Sequence, residues 1–397
     1  MSLVNTPIAE QLRIVITGLR NAGKSSLFNS IIENNIAIVS NTPGTTTDPV
    51  IKSMEMGNLG PVVFVDTAGI DDIGELGQKR IDKTYNQLEI ADIIIFVTKI
   101  NEDIIKIEKE FLNKILKLNK KILIVFTFSD FKHNQNKLDY FKNYNTIIVN
   151  NNDKETIKKL REKIIAISND IEKEIKPLDG LVDDGDLLFL VVPIDSAAPK
   201  GRLILPQVET IRDALDKNCS VLIAKENQLD IYYSLKKRPK LVITDSQAFE
   251  IVKKSIPEDQ PLTSFSILFA RKKGDFNLFL KSIKYLKNIK SGSKILINES
   301  CTHHRQPDDI GTVKIPNLFK SKINKDVTFD FYKELPNKEE LKKYSLVIMC
   351  GGCMVTRNKI LSRLKILNEL NIPVINYGFF LAYVNNLLPR TILPFYK

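Results

Sequence analysis

The stretch from Arg13 to Ile32 reads RIVITGLRNAGKSSLFNSII, and it limits the fold more than any other part of the chain. A β-rich run (Ile14, Val15, Ile16) ends at Gly18, and an amphipathic helix begins near Lys24. Between them lies G-x-x-x-x-G-K-S, with Gly18, Gly23, Lys24 and Ser25 in place. The glycines let backbone N–H groups wrap a phosphate chain. In such a loop Lys24 reaches the outer phosphates and the Ser25 hydroxyl binds Mg²⁺. Ala22 and Ser26 flank the motif and join the candidate nucleotide-binding set. A chance glycine turn is the bland alternative, and the strand–loop–helix context argues against it.

A second apolar run, PVVFVDTAG, ends in Asp66-Thr67-Ala68-Gly69. A carboxylate at the end of a buried strand can hold Mg²⁺ through water, and the Gly69 N–H can touch a terminal phosphate. Between the two motifs sits NTPGTTTDPV, residues 41–50, where a Thr can close over Mg²⁺ as an ordered switch. Thr45 or Thr46 fits, and spacing does not choose between them. Two more strands are expected at ADIIIFVTKI and KILIVFTFSD. The alternation of strands and helices predicts an open, mostly parallel α/β sheet with ligands at the strand C-termini.

Residues 1–172 resemble a Ras-like GTPase domain of the bacterial tRNA-modification and ribosome-assembly type. The resemblance implies GTP/GDP and Mg²⁺ as ligands. It also implies that Asn21 helps bind a K⁺ ion standing in for an arginine finger. Ile70 is apolar where Ras-type enzymes keep a water-orienting Gln, which fits a hydrolase with another route to transition-state stabilisation. The catalytic set implied is Lys24, Asn21, Thr46, Asp66 and Gly69. The base-reading motif departs from N-K-x-D: it is Thr127-Phe128-Ser129-Asp130. Asp130 retains the carboxylate that reads guanine. Thr127 is too short to reach N7, and Phe128 can stack on the base where the usual Lys stem lies. The usual S-A-x is replaced by TIIVNNND, so weak affinity is expected.

A length of 397 residues calls for two or three domains. The charged segment SNDIEKEIKPLDG marks the exit from the first. Residues 180–270 alternate apolar runs with helical patterns but show no nucleophile constellation, so a dimerisation role is expected there. The expected strands are DLLFLVVPI, SVLIAK, PKLVITD and TSFSILFA. The expected helices are LPQVETIRDALDKN, QLDIYYSLKK and SQAFEIVKKSI. The net charge of +11 is spread over lysines interleaved with acids, which reads as a solvated surface rather than a nucleic-acid footprint. Apolar runs fall far short of the ~20 residues a membrane span needs. The first residues show no export pattern, and four cysteines suggest no disulfide framework, so a cytoplasmic setting is expected.

Three of the four cysteines and two of the three histidines fall in ESCTHHRQ and IMCGGCMV. SKILINESC and YSLVIMCGGC both read as strands, ending at Cys301 and Cys350. Strand C-termini gather on one edge of a parallel sheet, so Cys301, Cys350 and Cys353 should form one site. Zinc on three Cys and one His, an iron–sulfur cluster on three thiolates, and inert buried cysteines all stay open on spacing alone. Cys219, alone before a strand, reads as structural.

Taken together, these features resemble the HydF family, the scaffold GTPases that mature FeFe-hydrogenases, over the whole chain. The family pattern is C-x-H, a gap, then H-C-x-x-C; Cys301, His303, Cys350 and Cys353 match, and Met349 stands at the second His position. The resemblance implies a C-terminal α/β domain, residues 271–397, with a 4Fe–4S cluster on the three cysteines. His303 is then the family-matched candidate for the exchangeable fourth ligand, with His304, Glu299 and water as alternatives. Also implied are a homodimer, radical-SAM maturases as donors of a di-iron precursor, and apo-FeFe-hydrogenase as its acceptor. An RNA-associated GTPase with a structural zinc domain is the competing reading. Its expected RNA module is missing, since the G-x-x-G at Gly74 lies just after D-x-x-G.

Overall fold

The computed structural model describes residues 6–33, 41–42, 48–171, 175–194, 203–300 and 309–396. The chain divides into two compact units, Met1–Lys173 and Glu174–Lys397.

The first unit holds a seven-stranded sheet. Its strands are β1 (Leu12–Gly18), β2 (Asn41–Thr42), β3 (Val50–Glu55), β4 (Pro61–Asp66), β5 (Ile93–Lys99), β6 (Lys121–Thr127) and β7 (Thr146–Ile148). The order is β2-β3-β4-β1-β5-β6-β7. Only β3 runs against the rest, antiparallel to both β2 and β4, and the other pairs are parallel. The central strands are continuous apolar runs because helices cover both faces. Ile14 and Ile16 pack into one core and Val15 into the other. The same alternation sends Ile93, Ile95 and Val97 one way and Ile94 and Phe96 the other. Each such side chain contributes about 1.5–3 kcal/mol on burial. The helix Lys24–Glu33 buries Leu27, Phe28, Ile31 and Ile32, a single 3.6-period face.

The second unit has two four-stranded parallel sheets. One is formed by β8 (Leu187–Val191), β9 (Ser220–Ala224), β10 (Leu241–Thr244) and β11 (Leu262–Ser264), in the order β11-β10-β8-β9. The other is formed by β12 (Lys294–Asn298), β13 (Thr328–Tyr332), β14 (Leu346–Met349) and β15 (Val374–Asn376), in the order β13-β12-β14-β15. One continuous hydrophobic cluster runs from Phe189 and Val242 in the first of these sheets to Ile297, Ile348 and Ile375 in the second.

Two local expectations need correction. TSFSILFA is strand only at its first two residues, the end of Leu262–Ser264, and Phe265–Lys273 is a helix. Ser264 turns the chain by accepting the Ile267 N–H at 3.3 Å, an N-cap that a short apolar run does not advertise. QLDIYYSLKK forms a 3₁₀ helix, Leu229–Ser234, rather than an α-helix. Among the described residues no helix is long and apolar enough to cross a membrane.

Candidate functional site

The loop after β1 takes the shape its glycines allow. Gly18 has φ +147°, and a Cβ there would lie 2.2 Å from the Val97 carbonyl oxygen. Asn21 also has positive φ, +57°, which Asn tolerates better than most residues. Lys24 is buried, and its ammonium donates to the Leu19 carbonyl at 2.5 Å, folded back over the loop. The Ser25 hydroxyl donates to Asp66 Oδ2 at 2.7 Å, so the two expected Mg²⁺ groups meet directly. Burial holds the Asp66 carboxyl above the usual carboxylate range, against the opposing pull of the Ser25 hydrogen bond and the Lys24 charge. Burial likewise holds Lys24 below the usual lysine range, opposed by Asp66 and Asp71. Charges that stabilise a bound metal–phosphate complex thus sit where their ionised forms are only partly stabilised by protein.

The turn after Asp66 lies against this loop. The Ile70 N–H donates to the Gly18 carbonyl at 3.2 Å. Asp71 accepts the Arg20 backbone N–H at 2.7 Å and pairs with its guanidinium at 3.5 Å. A Cβ on Gly69 would strike Arg20 Cγ at 2.3 Å, so only glycine permits this approach. Asp71 drew no attention in the sequence, because nothing local links it to residue 20.

At the other end of the site, the Thr127 hydroxyl donates to the Ala22 carbonyl at 2.7 Å and ties the end of β6 to the phosphate loop. Phe128 has φ +58° and is partly exposed, with the Lys99 ammonium 5.4 Å from its ring centroid. Asn150 Nδ2 donates to Asp130 Oδ1 at 2.8 Å. Asn151 Nδ2 donates to the Gly23 carbonyl at 3.1 Å. The first of these asparagines holds the Asp130 carboxylate in place, and the second braces the loop that follows β1. In the sequence TIIVNNND stands out only as a departure from the usual S-A-x. An Asn pair directly after a strand was the available signal. Gly18, Asn21, Ala22, Gly23, Lys24, Ser25, Ser26, Asp66 and Gly69 therefore cluster at one end of the sheet, with Phe128 and Asp130 beyond β6. Thr45 and Thr46 lie outside the described residues.

The cysteine pieces meet in the second unit. β12 and β14 are parallel neighbours with Asn298 opposite Met349. Two residues on from Asn298, the Ser300 N–H donates to Cys350 Sγ at 3.3 Å. Cys350 is buried and Cys353 half-buried. A Cβ on Gly351 would lie 3.6 Å from Cys353 Sγ, and Gly352 has φ +62°. Two thiols on one tight turn, with a backbone N–H aimed at a sulfur, suit an iron–sulfur cluster in donor type. Met349 is buried in the core. Glu299 is also buried, with its carboxylate close to where a Gly311 Cβ would stand. Arg363 grips the strand end from below: it donates to Asn298 Oδ1 at 3.2 Å, to Ser300 Oγ, and to Glu334 Oε2 at 2.6 Å. Cys301, His303 and His304 lie outside the described residues. Among the described residues no three His, Cys, Asp or Glu side chains gather as for a metal ion. Cys219 is buried, and its thiol approaches the Asp183 carbonyl at 3.3 Å, a structural setting.

The first unit's sheet order, phosphate loop and D-x-x-G turn define a Ras-like GTPase domain, here followed by a second, double-sheet α/β unit. Residues 13–128 match the family described as 50S ribosome-binding GTPase. Residues 178–274 match the hydrogen maturase F dimerization domain, and residues 277–394 the hydrogen maturase F tetramerization domain. The chain belongs to the hydrogen maturase F (HydF) family. It is also similar to GTPase Der of Kosmotoga olearia, 34% identical over 141 residues, 34% of this chain and 32% of that protein. It is 32% identical over 161 residues to the tRNA modification GTPase MnmE of Clostridioides difficile, 40% of this chain and 34% of that protein. The chain thus spans about a third of the length of these curated relatives. The G domain of the T. maritima FeoB iron transporter overlays with a TM-score of 0.30 at 20% identity, covering 40% of this chain and 99% of that one. At that score and identity the likeness bears on no functional reading.

Proposed function

We propose that the protein is a GTPase that serves as scaffold and carrier in FeFe-hydrogenase maturation. GTP hydrolysis acts as the switch for its partner interactions. The observation that carries this reading is the joining, in one chain, of a phosphate loop backed by Asp66 and a thiol turn at the end of β14. In the first unit Lys24 neutralises the outer phosphates, Ser25 and Asp66 hold Mg²⁺ with Thr46 or Thr45, and Gly69 senses the terminal phosphate. Asn21 helps seat K⁺, and Asp130 with Phe128 receives the base.

In the second unit Cys301, Cys350 and Cys353 would hold a 4Fe–4S cluster, with His303 as candidate fourth ligand. The cluster supplies an iron with an exchangeable position when bound. The chain's own part is to hold the thiols together and shield them. The Ser300 N–H supports the Cys350 sulfur, and the buried strand ends exclude water. The di-iron precursor is cargo. It is received from radical-SAM maturases and passed to the apo-hydrogenase by a homodimer or larger assembly built on residues 178–274 and 277–394.

Anaerobic reconstitution with iron and sulfide tests the reading. The expected result is about four irons and four sulfides per chain, lost in Cys350→Ser, with GTP turnover intact. Stoichiometric zinc with no iron or sulfide uptake would overturn it.

A further inference from the structure

The helix Phe265–Lys273 ends on a lysine that is 1% exposed. A buried ammonium must find strong acceptors, since its desolvation costs several kcal/mol. Lys273 finds them in the thiol turn. Its Nζ donates to the carbonyls of Cys353 and Val355, each at 2.9 Å, and reaches that of Gly352 at 3.5 Å. Three carbonyls of one short loop thus converge on a single cation from an element about 80 residues earlier. The loop's own backbone closes with one turn bond, Val355 N–H to the Gly352 carbonyl at 2.9 Å. The neighbouring Arg357 Nε donates to the Lys272 carbonyl at 3.2 Å, which ties the following helix to the same helix end.

From this geometry we propose that Lys273 is a positioning residue for the Cys350–Cys353 turn and the source of a fixed positive charge beside whatever the thiols hold. It rests on the reading that those thiols carry an iron–sulfur cluster. A turn with three of its carbonyls tied to one ammonium holds one backbone shape, so the thiols are presented ready-set rather than ordered by the ligand. The charge has a second effect. A cluster that gains one electron becomes more negative, and a cation nearby favours that form. Lys273 should therefore raise the reduction potential.

The test uses the full chain with Lys273→Met, which keeps the length and packing of the stem, and Lys273→Gln, which keeps hydrogen-bond donors without charge. In the iron-free protein, amide exchange over residues 351–355 should be at least about tenfold faster in Lys273→Met, with the helix 265–273 unchanged. After reconstitution, iron loss to a chelator should accelerate about ten- to a hundredfold. Under dithionite titration, the cluster potential should move to more negative values in both variants. Lys273→Gln should keep most of the exchange protection and still show the potential shift. It also serves as the test if Lys273→Met does not fold. Variants matching the wild type in exchange, iron retention and potential would overturn the proposal. A wild-type protein that takes up no iron would instead sink the cluster reading, and the exchange measurement would still decide whether Lys273 holds the turn.

Discussion

The Ser25 hydroxyl donates a 2.7 Å hydrogen bond to Asp66 Oδ2, closing the space in which Mg²⁺ would bridge them. Asp66 is held above the usual carboxylate range by burial, so its proton is lost at higher pH than for an exposed Asp. Mg²⁺-dependent GTP binding should therefore weaken as pH falls through that raised value, above the ordinary 3.8. The linkage sign for the empty protein is the reverse. A raised folded pKa contributes stability below the unfolded value, and this is lost as pH rises through the folded one. At neutral pH Asp66 is thus a burden on the empty fold. Asp66→Asn should raise the melting temperature of nucleotide-free protein while lowering Mg²⁺-dependent turnover about a hundredfold. A lower melting temperature would refute the burial argument.

Asn21 offers a clean test because its φ is positive. Asn21→Gly removes the side chain without straining the backbone. GTP turnover should be faster in K⁺ than in Na⁺ for the wild type. In Asn21→Gly that difference should vanish while nucleotide affinity stays within about threefold. Equal wild-type rates in the two salts would remove Asn21 from the K⁺ role.

Asp130 and Asn150 act as a pair across the ends of β6 and β7. Asp130→Asn should shift preference from GTP toward XTP in titrations of the protein. Asn150→Ala should weaken GTP about tenfold, the cost of roughly one lost polar contact, and leave XTP and ATP nearly unchanged. Equal weakening of all three nucleotides would mean that Asn150 only supports the fold.

Assembly should reside in the second unit. Residues 1–173, with their own sheet and cores, should be monomeric by light scattering. Residues 174–397 should form dimers or tetramers. A monomeric second unit would contradict the roles its two matching domains carry.

The candidate nucleotide site is legible in the sequence as a set of local motifs, because its chemistry is local. The conformation that binds phosphate is written into Gly18, Gly23 and the strand and helix on either side. The Asp66–Gly69 turn is equally compact. Helix ends and short runs were less readable. Phe265–Lys273 opens on the short, mostly apolar stretch FSILFA, a length at which strand and helix patterns are indistinguishable until a cap such as Ser264 is recognised.

The phosphate loop, the carboxylate that follows it, the altered base motif and the set of thiols can all be read from residue order. Each depends on residue type and near spacing alone. Tertiary structure decided which of these meet. Parallel pairing of β12 with β14 puts the Ser300 N–H on the Cys350 sulfur, and sheet order is not encoded within either strand. Asn150 reaches Asp130 only because β7 lies beside β6. Lys273, one lysine among many in the sequence, takes its place under the thiol turn because its helix packs between two sheets that share one core. There, burial forces an ammonium to seek carbonyls.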